Sequence, residues 1–241
     1  MKWMFVFLIF LLHSPGPGAK PQWQDPDPLQ DTPSHLAWDR LLNKHVSPDG
    51  LVDYRGFASD KDELVAYLKN LSDHIPSGQW DRQTRLAYYI NLYNAATILL
   101  ILEQYPLESI RDISRPWGKK RIQIGDQRFS LSEIEHRILR KMGEPRIHFA
   151  LNCASFSCPK LQPQAYMEET LEVQLERATR DFINDSSRND LSNGQARLSR
   201  IFKWYQEDFS TGGTTLIGFI NRYLAEPLPA GTRVSVPVSE L

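Results

Sequence analysis

Two cysteines, Cys153 and Cys158, are the only ones in the chain. If the chain between them were extended, their α-carbons would be about 16 Å apart, whereas a disulfide requires roughly 4.4–6.8 Å. A chain reversal over residues 154–157 would bring them within range, and closing so small a loop contributes about 2 kcal/mol by the chain-entropy estimate. The spacing therefore leaves two interpretations: a small disulfide, or a thiolate nucleophile activated by a histidine.

Two histidines are candidate bases for such a thiolate. His148 lies too many steps from Cys153 to pair with it along one extended strand, whereas His136 lies on a different predicted element and could reach it. If the chain reverses, Cys158 is a second candidate nucleophile. The candidate catalytic residues are therefore Cys153, Cys158, His136 and His148. The alternatives are that His148 is a hydrogen-bonded core residue, or that all four bind zinc, although their spacing matches no usual zinc finger.

Three asparagines and one glutamate occupy predicted elements that are otherwise apolar. Asn91 and Asn94 are three residues apart and therefore share one face of a helix. A buried amide without hydrogen-bond partners costs about 1–3 kcal/mol. These residues either tie neighbouring loops to the core or line a cleft with Asn152, where they would orient a substrate or stabilise an oxyanion. With Glu135, they are the candidate substrate-binding residues.

Glu135 lies on the apolar face of a predicted helix. At 100° per residue it falls about 40° from Leu131, next to the apolar stripe. A carboxylate in that position needs a partner or a raised pKa. The sequence predicts either a buried ion pair with Arg121 or Arg146, or a group that orients a catalytic histidine.

The asparagines belong to a segment over residues 86–102 that contains no charged residue. A helix that is apolar all round either spans a membrane or is central to a core. Three tyrosines and two asparagines in this segment favour the core. We therefore predict that it is the central helix of the domain and that it ends before Pro106.

The remaining sequence predicts several helices and a few short strands. Residues 146–152 are predicted as a strand with His148, Ala150 and Asn152 on one face. A capping box at Ser130 opens a helix that extends to about Met142. Further helices are predicted over 35–46, 60–71, 165–183 and 215–224, and strands over 51–54, 121–124, 127–129 and 232–238, with a strand running into a helical turn over 197–204. The predicted fold class is α+β: a helix-rich single domain with a central buried helix and a small sheet.

The segment over residues 203–209 combines aromatic and charged residues. Its aromatic residues, Trp204, Tyr205 and Phe209, are predicted to lie in the core. Lys203 or Asp208 could face the same cleft as Asn91.

The first 19 residues have the pattern of an export signal. Lys2 precedes an apolar run over residues 3–12, and a segment rich in proline and glycine follows. Ten residues of helix span about 15 Å, roughly half a bilayer core, so this run predicts no membrane-spanning helix. We predict a signal peptide over 1–19, a proline-rich leader over 20–33 and a single domain over 34–241. Export to the periplasm or the cell exterior would allow a disulfide to persist.

Composition limits the function classes. The chain has 241 residues, of which 41% are apolar and 24% charged, and its formal net charge is −1. This composition is typical of a soluble globular domain and gives no general attraction to nucleic acid. We predict no nucleic-acid partner, no cofactor, no metal and no transmembrane anchor in the mature chain. The sequence identifies no protein partner.

Five long motifs follow one another along the chain: WDRLLNKHVSPDGLVDYRGF (38–57), YYINLYNAATILLIL (88–102), SLSEIEHRILR (130–140), RIHFALNCASFSCP (146–159) and LSRIFKWYQEDF (198–209). In this order they resemble the family catalogued as domain of unknown function 547, and the resemblance covers roughly residues 38–223. It implies no activity, because the family was defined without one. Cysteine-peptidase-like folds share a superficially similar layout, a buried helix followed by strands carrying histidine, but this is a fold-level analogy.

Two function classes fit these observations. The first is a non-catalytic envelope or extracellular binding domain whose cysteines form a small disulfide. The second is a thiol-dependent hydrolase or transferase that acts on a peptide or acyl-like bond, with a cysteine nucleophile and a histidine base. The state of the two thiols distinguishes them.

Overall fold

The computed structural model describes residues 32–154, 158–192, 195–229 and 231–236. The predicted signal peptide over 1–19 lies outside the described residues, as does the predicted leader except for its last two positions.

Helix α4 (Arg82–Leu102) is the longest element and has the most buried residues. It begins where the Asp81 side chain accepts a hydrogen bond from the Thr84 amide over 2.7 Å, which satisfies a free amide of the first turn. By length and composition this helix could cross a membrane, but 78% of its most apolar stretch is buried inside the protein. The prediction of a central buried helix is therefore confirmed, and the helix starts four residues earlier than predicted.

Three helices that precede α4 in the chain pack on it or next to it. They are α1 (Leu36–His45), α2 (Tyr54–Ser59) and α3 (Lys61–Asp73), and their buried side chains join those of α4 in the main core. The strand predicted over 51–54 is wrong. Val52 forms only an isolated bridge with Val46, and the Asp53 side chain caps α2 by accepting from the Gly56 amide over 3.0 Å. This cap draws Tyr54 into a helix.

The predicted hairpin is present and packs near α3. Strands β1 (Ile122–Ile124) and β2 (Gln127–Phe129) pair antiparallel, with Ile122 opposite Phe129. Gly125 turns the chain with φ 55°, a conformation that glycine adopts without steric cost.

The helix predicted after the hairpin is helical throughout but irregular. The capping box at Ser130 opens α5 (Leu131–Glu133), a π-helical turn follows over Ile134–Ile138, and a 3-10 turn over Leu139–Met142 ends at Gly143. A π-helical turn changes the direction of side chains relative to a regular helix and is frequent at functional sites. Glu135 and His136 both lie in this turn.

The strand predicted over residues 146–152 is wrong. Pro145–Phe149 forms a 3-10 helix, with proline at its first position and the Glu144 side chain accepting from the Arg146 amide over 3.2 Å. Ile147, His148 and Phe149 are all buried, so the residues do not alternate between a covered and an open face. A short apolar run does not distinguish a strand from a buried helical turn by periodicity.

A second core lies on the C-terminal side. It contains the rings of Phe149, Phe182, Phe202, Phe209 and Phe219. Its other side chains come from the C-terminal half of α6 (Leu171–Ile183) and from β3 (Gln195–Arg197), α7 (Ile201–Trp204), α8 (Gln206–Phe209) and α9 (Leu216–Asn221). The remaining elements are β4 (Arg233–Ser235) and two 3-10 turns, Ile110–Asp112 after α4 and Glu168–Thr170 before α6.

Strands β3 and β4 pair parallel as a second two-stranded sheet. The last two residues of the strand predicted over 232–238 lie outside the described residues. With helices dominating and only short strand pairs, the fold is a helix-rich α+β domain, as predicted.

Candidate functional site

Asn91 and Asn94 each bind the backbone of another segment. The Asn94 amide donates to the Ala150 carbonyl over 2.9 Å, and its oxygen accepts from the Asn152 amide over 2.9 Å. Asn91 makes the same pair of bonds with the backbone of Tyr166, at 2.7 and 3.0 Å. Both side chains are therefore satisfied inside the core, and each fixes one loop to α4.

The Asn152 side chain makes further hydrogen bonds to the backbone at both ends of the loop between Cys153 and Cys158. Its side-chain nitrogen donates to the Pro159 carbonyl over 2.8 Å, and its oxygen accepts from the Ala154 amide over 2.9 Å. The second bond is the local turn that asparagine side chains commonly make. The two bonds join the chain before the loop to the chain after it.

The cysteines at this loop form a disulfide. Cys153 is bonded to Cys158, and their α-carbons are 6.0 Å apart, so the chain reverses between them. Neither cysteine is free. Residues 155–157 lie outside the described residues.

Glu135 is buried, with 9% exposure, as its position on the apolar face predicts. Its carboxylate accepts hydrogen bonds from two phenols: Tyr205 donates to Oε1, and Tyr93 donates to Oε2 over 3.3 Å. The predicted ion pair with Arg121 or Arg146 is wrong. Arg121 donates to backbone carbonyls of its own loop, and Arg146 pairs with other glutamates.

Burial raises the pKa of both phenols, and the charge of Glu135 raises it further. Tyr93 and Tyr205 therefore stay protonated and neutral at neutral pH, and each donates a hydrogen bond to the Glu135 carboxylate.

A second polar cluster lies on the other side of Tyr205. Asp208 accepts from Arg140 in a bidentate arrangement, Nε at 2.7 Å and Nη2 at 2.8 Å, and from Nε2 of His148 at 2.7 Å. The His148 ring stacks on the Tyr205 ring with centroids 3.8 Å apart and an angle of 17°. The two clusters are therefore joined through one tyrosine.

The charges of this second cluster are arranged around Asp208. Burial opposes ionisation of Asp208, but the hydrogen bonds from His148 and Arg140 outweigh it and hold its pKa well below the usual range. Burial lowers the pKa of His148 despite the adjacent carboxylate. Because Arg140 already supplies the positive charge, a neutral His148 can donate to Asp208 from Nε2.

A cavity of about 590 Å³ opens beside Glu135. Of the sequence-predicted site residues, Glu135, His136 and Cys153 line it, whereas Cys158, His148 and the three asparagines are not among its lining residues. The full lining is Tyr54, Tyr93, Ile101, Tyr105, Leu107, Glu108, Ser109, Ile110, Arg111, Trp117, Ser132, Glu135, His136, Cys153, Ala154, Trp204 and Tyr205.

His136 lies at the edge of this cavity and is exposed. Arg140 Nη1 donates to its Nδ1 over 3.5 Å. In contrast to His148, this imidazole therefore remains accessible from the cavity.

The zinc alternative is not supported by the arrangement of the ligands. Within the described ranges, no group of three or more His, Cys, Asp or Glu side chains could hold a metal ion. Both cysteine sulfurs are in the disulfide, and His148 Nε2 is engaged by Asp208.

The segment that carries most of this geometry also matches a known family. Residues 77–183 match the model of a family described as protein of unknown function, DUF547. The DUF547 match includes α4, Glu135, His136, His148 and both cysteines. It is shorter than the motif resemblance in the sequence, and Tyr205 and Asp208 lie beyond its end. No curated protein and no solved structure matches the chain.

The aromatic lining and the contact of Tyr205 with Glu135 were not predicted from the sequence. Trp204 and Tyr205 were predicted to lie in the core, yet Trp204 is 46% exposed and both line the cavity. The position of Glu135 on an apolar helix face did predict that its carboxylate needs hydrogen-bond donors. It did not identify the donors, because Tyr93 and Tyr205 are 42 and 70 positions away in the sequence.

Proposed function

We propose that the chain is an exported, non-catalytic binding domain whose small ligand occupies the cavity beside Glu135. One observation carries this proposal: Cys153 lines the cavity but is bonded to Cys158. A sulfur in a disulfide is not the thiolate that a cysteine nucleophile requires.

The hydrogen bonds that hold the cavity walls in place support a binding role. Asn94 and Asn152 fix the backbone around the disulfide, and Tyr93 and Tyr205 fix the Glu135 carboxylate. A volume of about 590 Å³ lies in the range of small-molecule sites, which are concave and mostly pre-formed.

The arrangement of His148 also favours binding over thiol catalysis. Its Nε2 is engaged by Asp208 and its ring is covered by Tyr205 and Phe209. This imidazole supports the aromatic wall from behind instead of lining the cavity.

Export is supported by two independent features. The N-terminal sequence has the charged, apolar and small-residue regions of a secretory signal. A disulfide is retained in oxidising compartments and is rare in the cytosol.

A second candidate function is a thiol-dependent hydrolase or transferase. The observation that favours it is that Cys153, His136 and Glu135 line the same cavity. After reduction of the disulfide, Cys153 would be the nucleophile, His136 its base and Glu135 a polar group of the substrate site.

Thiol titration of protein secreted into an oxidising compartment separates the two functions. We expect a mature N-terminus between residues 17 and 20 and no free thiol before reduction. After reduction, we expect iodoacetamide to alkylate Cys153 at pH 7 no faster than it alkylates free cysteine.

The binding proposal is overturned if the secreted protein carries a thiol that reacts faster than free cysteine and this reactivity is lost in Cys153→Ser. Cys158→Ser is the matched control, because it also breaks the disulfide but leaves the cavity-lining sulfur in place. Recovery of the intact chain from Met1 in the cytosol would overturn the export proposal.

A further inference from the structure

Glu135 is a buried carboxylate whose charge other side chains of the described chain offset only in part: Arg140 and His148 lie near enough to interact with it, but neither contacts it directly. Its two hydrogen-bond donors are neutral phenols, and no lysine, arginine or histidine forms an ion pair with it in the described part of the chain. A carboxylate has about four acceptor positions, so about two remain after Tyr93 and Tyr205. A buried carboxylate with spare acceptor positions on a cavity is suited to a cationic partner.

Aromatic side chains form much of the cavity wall around this carboxylate. The faces of tyrosine and tryptophan rings attract cations, and the attraction is stronger where water is excluded. Aromatic rings beside a carboxylate are an arrangement that recognises organic ammonium groups. Two of the rings already have a guanidinium near them: Arg140 lies 5.4 Å from the Tyr205 centroid and Arg200 lies 5.6 Å from the Trp204 centroid. The aromatic lining residues are Tyr54, Tyr93, Tyr105, Trp117, Trp204 and Tyr205.

The other charges of the cavity lie at its exposed edge. Glu108 and Arg111 line it, are exposed and have opposite signs, so their fields largely cancel. Arg140 stacks on the Tyr205 ring at 5.4 Å but is held by Asp208 and does not line the cavity. Glu135 is therefore the buried charge in the cavity wall, and Arg140, which does not line the cavity, offsets part of it.

We propose that this cavity binds an organic cation, with its ammonium group against Glu135 and the aromatic walls and its apolar part along Ile101 and Leu107. This inference rests on the proposed binding function and names the ligand class of the same site. The interaction combines charge pairing in a partly desolvated site with cation–π contact, and both require the positive charge of the ligand.

The test compares two probes of nearly the same shape, choline and its neutral isostere 3,3-dimethyl-1-butanol. Binding of each to the full mature protein is measured by tryptophan fluorescence and by calorimetry at pH 8. We expect choline to bind the wild-type protein at least about tenfold more tightly than the isostere, the lower end of a desolvated cation–π and ion-pair preference.

One variant and its control test whether Glu135 is the origin of the preference for choline. Glu135→Gln keeps the side-chain length and an acceptor for one of the two phenols but removes the charge. It should weaken choline at least about tenfold while leaving the isostere unchanged. Glu103→Gln is the matched control, because Glu103 is an exposed glutamate outside this cavity and its loss changes the net charge equally. It should leave both affinities unchanged.

Trp204→Leu provides a second route if Glu135→Gln fails to fold. Trp204 is 46% exposed, so its replacement should be tolerated. It should weaken choline more than the isostere, because it removes a ring face but retains an apolar side chain.

Equal binding of the two probes, or a choline preference that survives both cavity variants, overturns the cation proposal and leaves the cavity as a site for neutral ligands. Absence of choline binding also overturns it. Discovery of a fast-reacting Cys153 thiol would overturn the non-catalytic function instead, whatever the charge preference of the cavity.

Discussion

Replacing Asp208 with alanine should destabilise the protein more than its partial exposure suggests. Asp208 accepts three hydrogen bonds, two from Arg140 and one from His148, whose side chain is only 1% exposed. The variant leaves a guanidinium and a buried imidazole without their acceptor.

The expected size follows from these contacts. Removing one partner of a fully buried ion pair costs about 3–5 kcal/mol. Because the Asp208 side chain is 21% and the Arg140 side chain 26% exposed, water replaces part of the interaction, and we expect a loss of about 2–3 kcal/mol. The matched control is Asp73→Ala, which removes a carboxylate from an exposed pair with Lys69 and should cost about 0–1 kcal/mol.

The effect should also depend on pH with a definite sign. The pKa of Asp208 is lowered in the folded protein from its ordinary value of 3.8, so the stabilisation is complete above that value. It is lost as the pH falls from about 4 towards the lower folded pKa. The difference between wild type and Asp208→Ala should therefore be full at pH 7 and smaller at pH 3.

Urea unfolding followed by far-ultraviolet circular dichroism measures both effects. The free energy of unfolding of wild type, Asp208→Ala and Asp73→Ala is compared at pH 7 and again at pH 3. If Asp208→Ala loses no more stability than Asp73→Ala, or if its deficit grows as the pH falls, then the Asp208 cluster does not stabilise the fold as argued.

Two further predictions concern the framework of the cavity. Asn94→Ala should lower the free energy of unfolding by about 2–3 kcal/mol, because it leaves two backbone groups without partners; a urea midpoint equal to wild type would contradict this. Replacing both Cys153 and Cys158 with serine should cost about 2 kcal/mol or less, since the disulfide closes only a short loop; loss of the folded state by circular dichroism would show that the loop has a larger role.

The sequence predicted the central helix and a helix after the hairpin because their signals are local, but it did not predict the π-helical and 3-10 turns of the second. Residues 86–102 contain no charge, and Ser130 with Glu133 forms a capping box that the structure retains. Patterns of this kind depend on neighbours three or four positions away, which sequence periodicity records directly.

The partners of Glu135 were not predictable in the same way. Its burial followed from the helical wheel, but its donors, Tyr93 and Tyr205, come from elements 42 and 70 positions away. Helical spacing does not indicate which distant element will pack beside a given residue. A charged partner was expected, and two neutral phenols take its place.

The segment around His148 was mispredicted for a different physical reason. Its run of apolar residues is too short for periodicity to decide between strand and helical turn. Proline at the first position and the Glu144 cap favour the turn, and burial of three successive side chains became possible because two cores meet there. His148 and Asn152 therefore do not share a strand face; His148 hydrogen-bonds to Asp208, and Asn152 donates to the Pro159 carbonyl.

The position of the second core indicates how the DUF547 segment depends on the chain that follows it. The family match ends at residue 183, yet Phe149 and Phe182, which lie within it, pack against Phe202, Phe209 and Phe219, which lie beyond it. A chain cut after residue 183 would expose two aromatic rings and the C-terminal part of the apolar face of α6 to water, the kind of surface that drives self-association. The end of the match therefore falls within one packed core, and we expect a stable fragment to include Phe219.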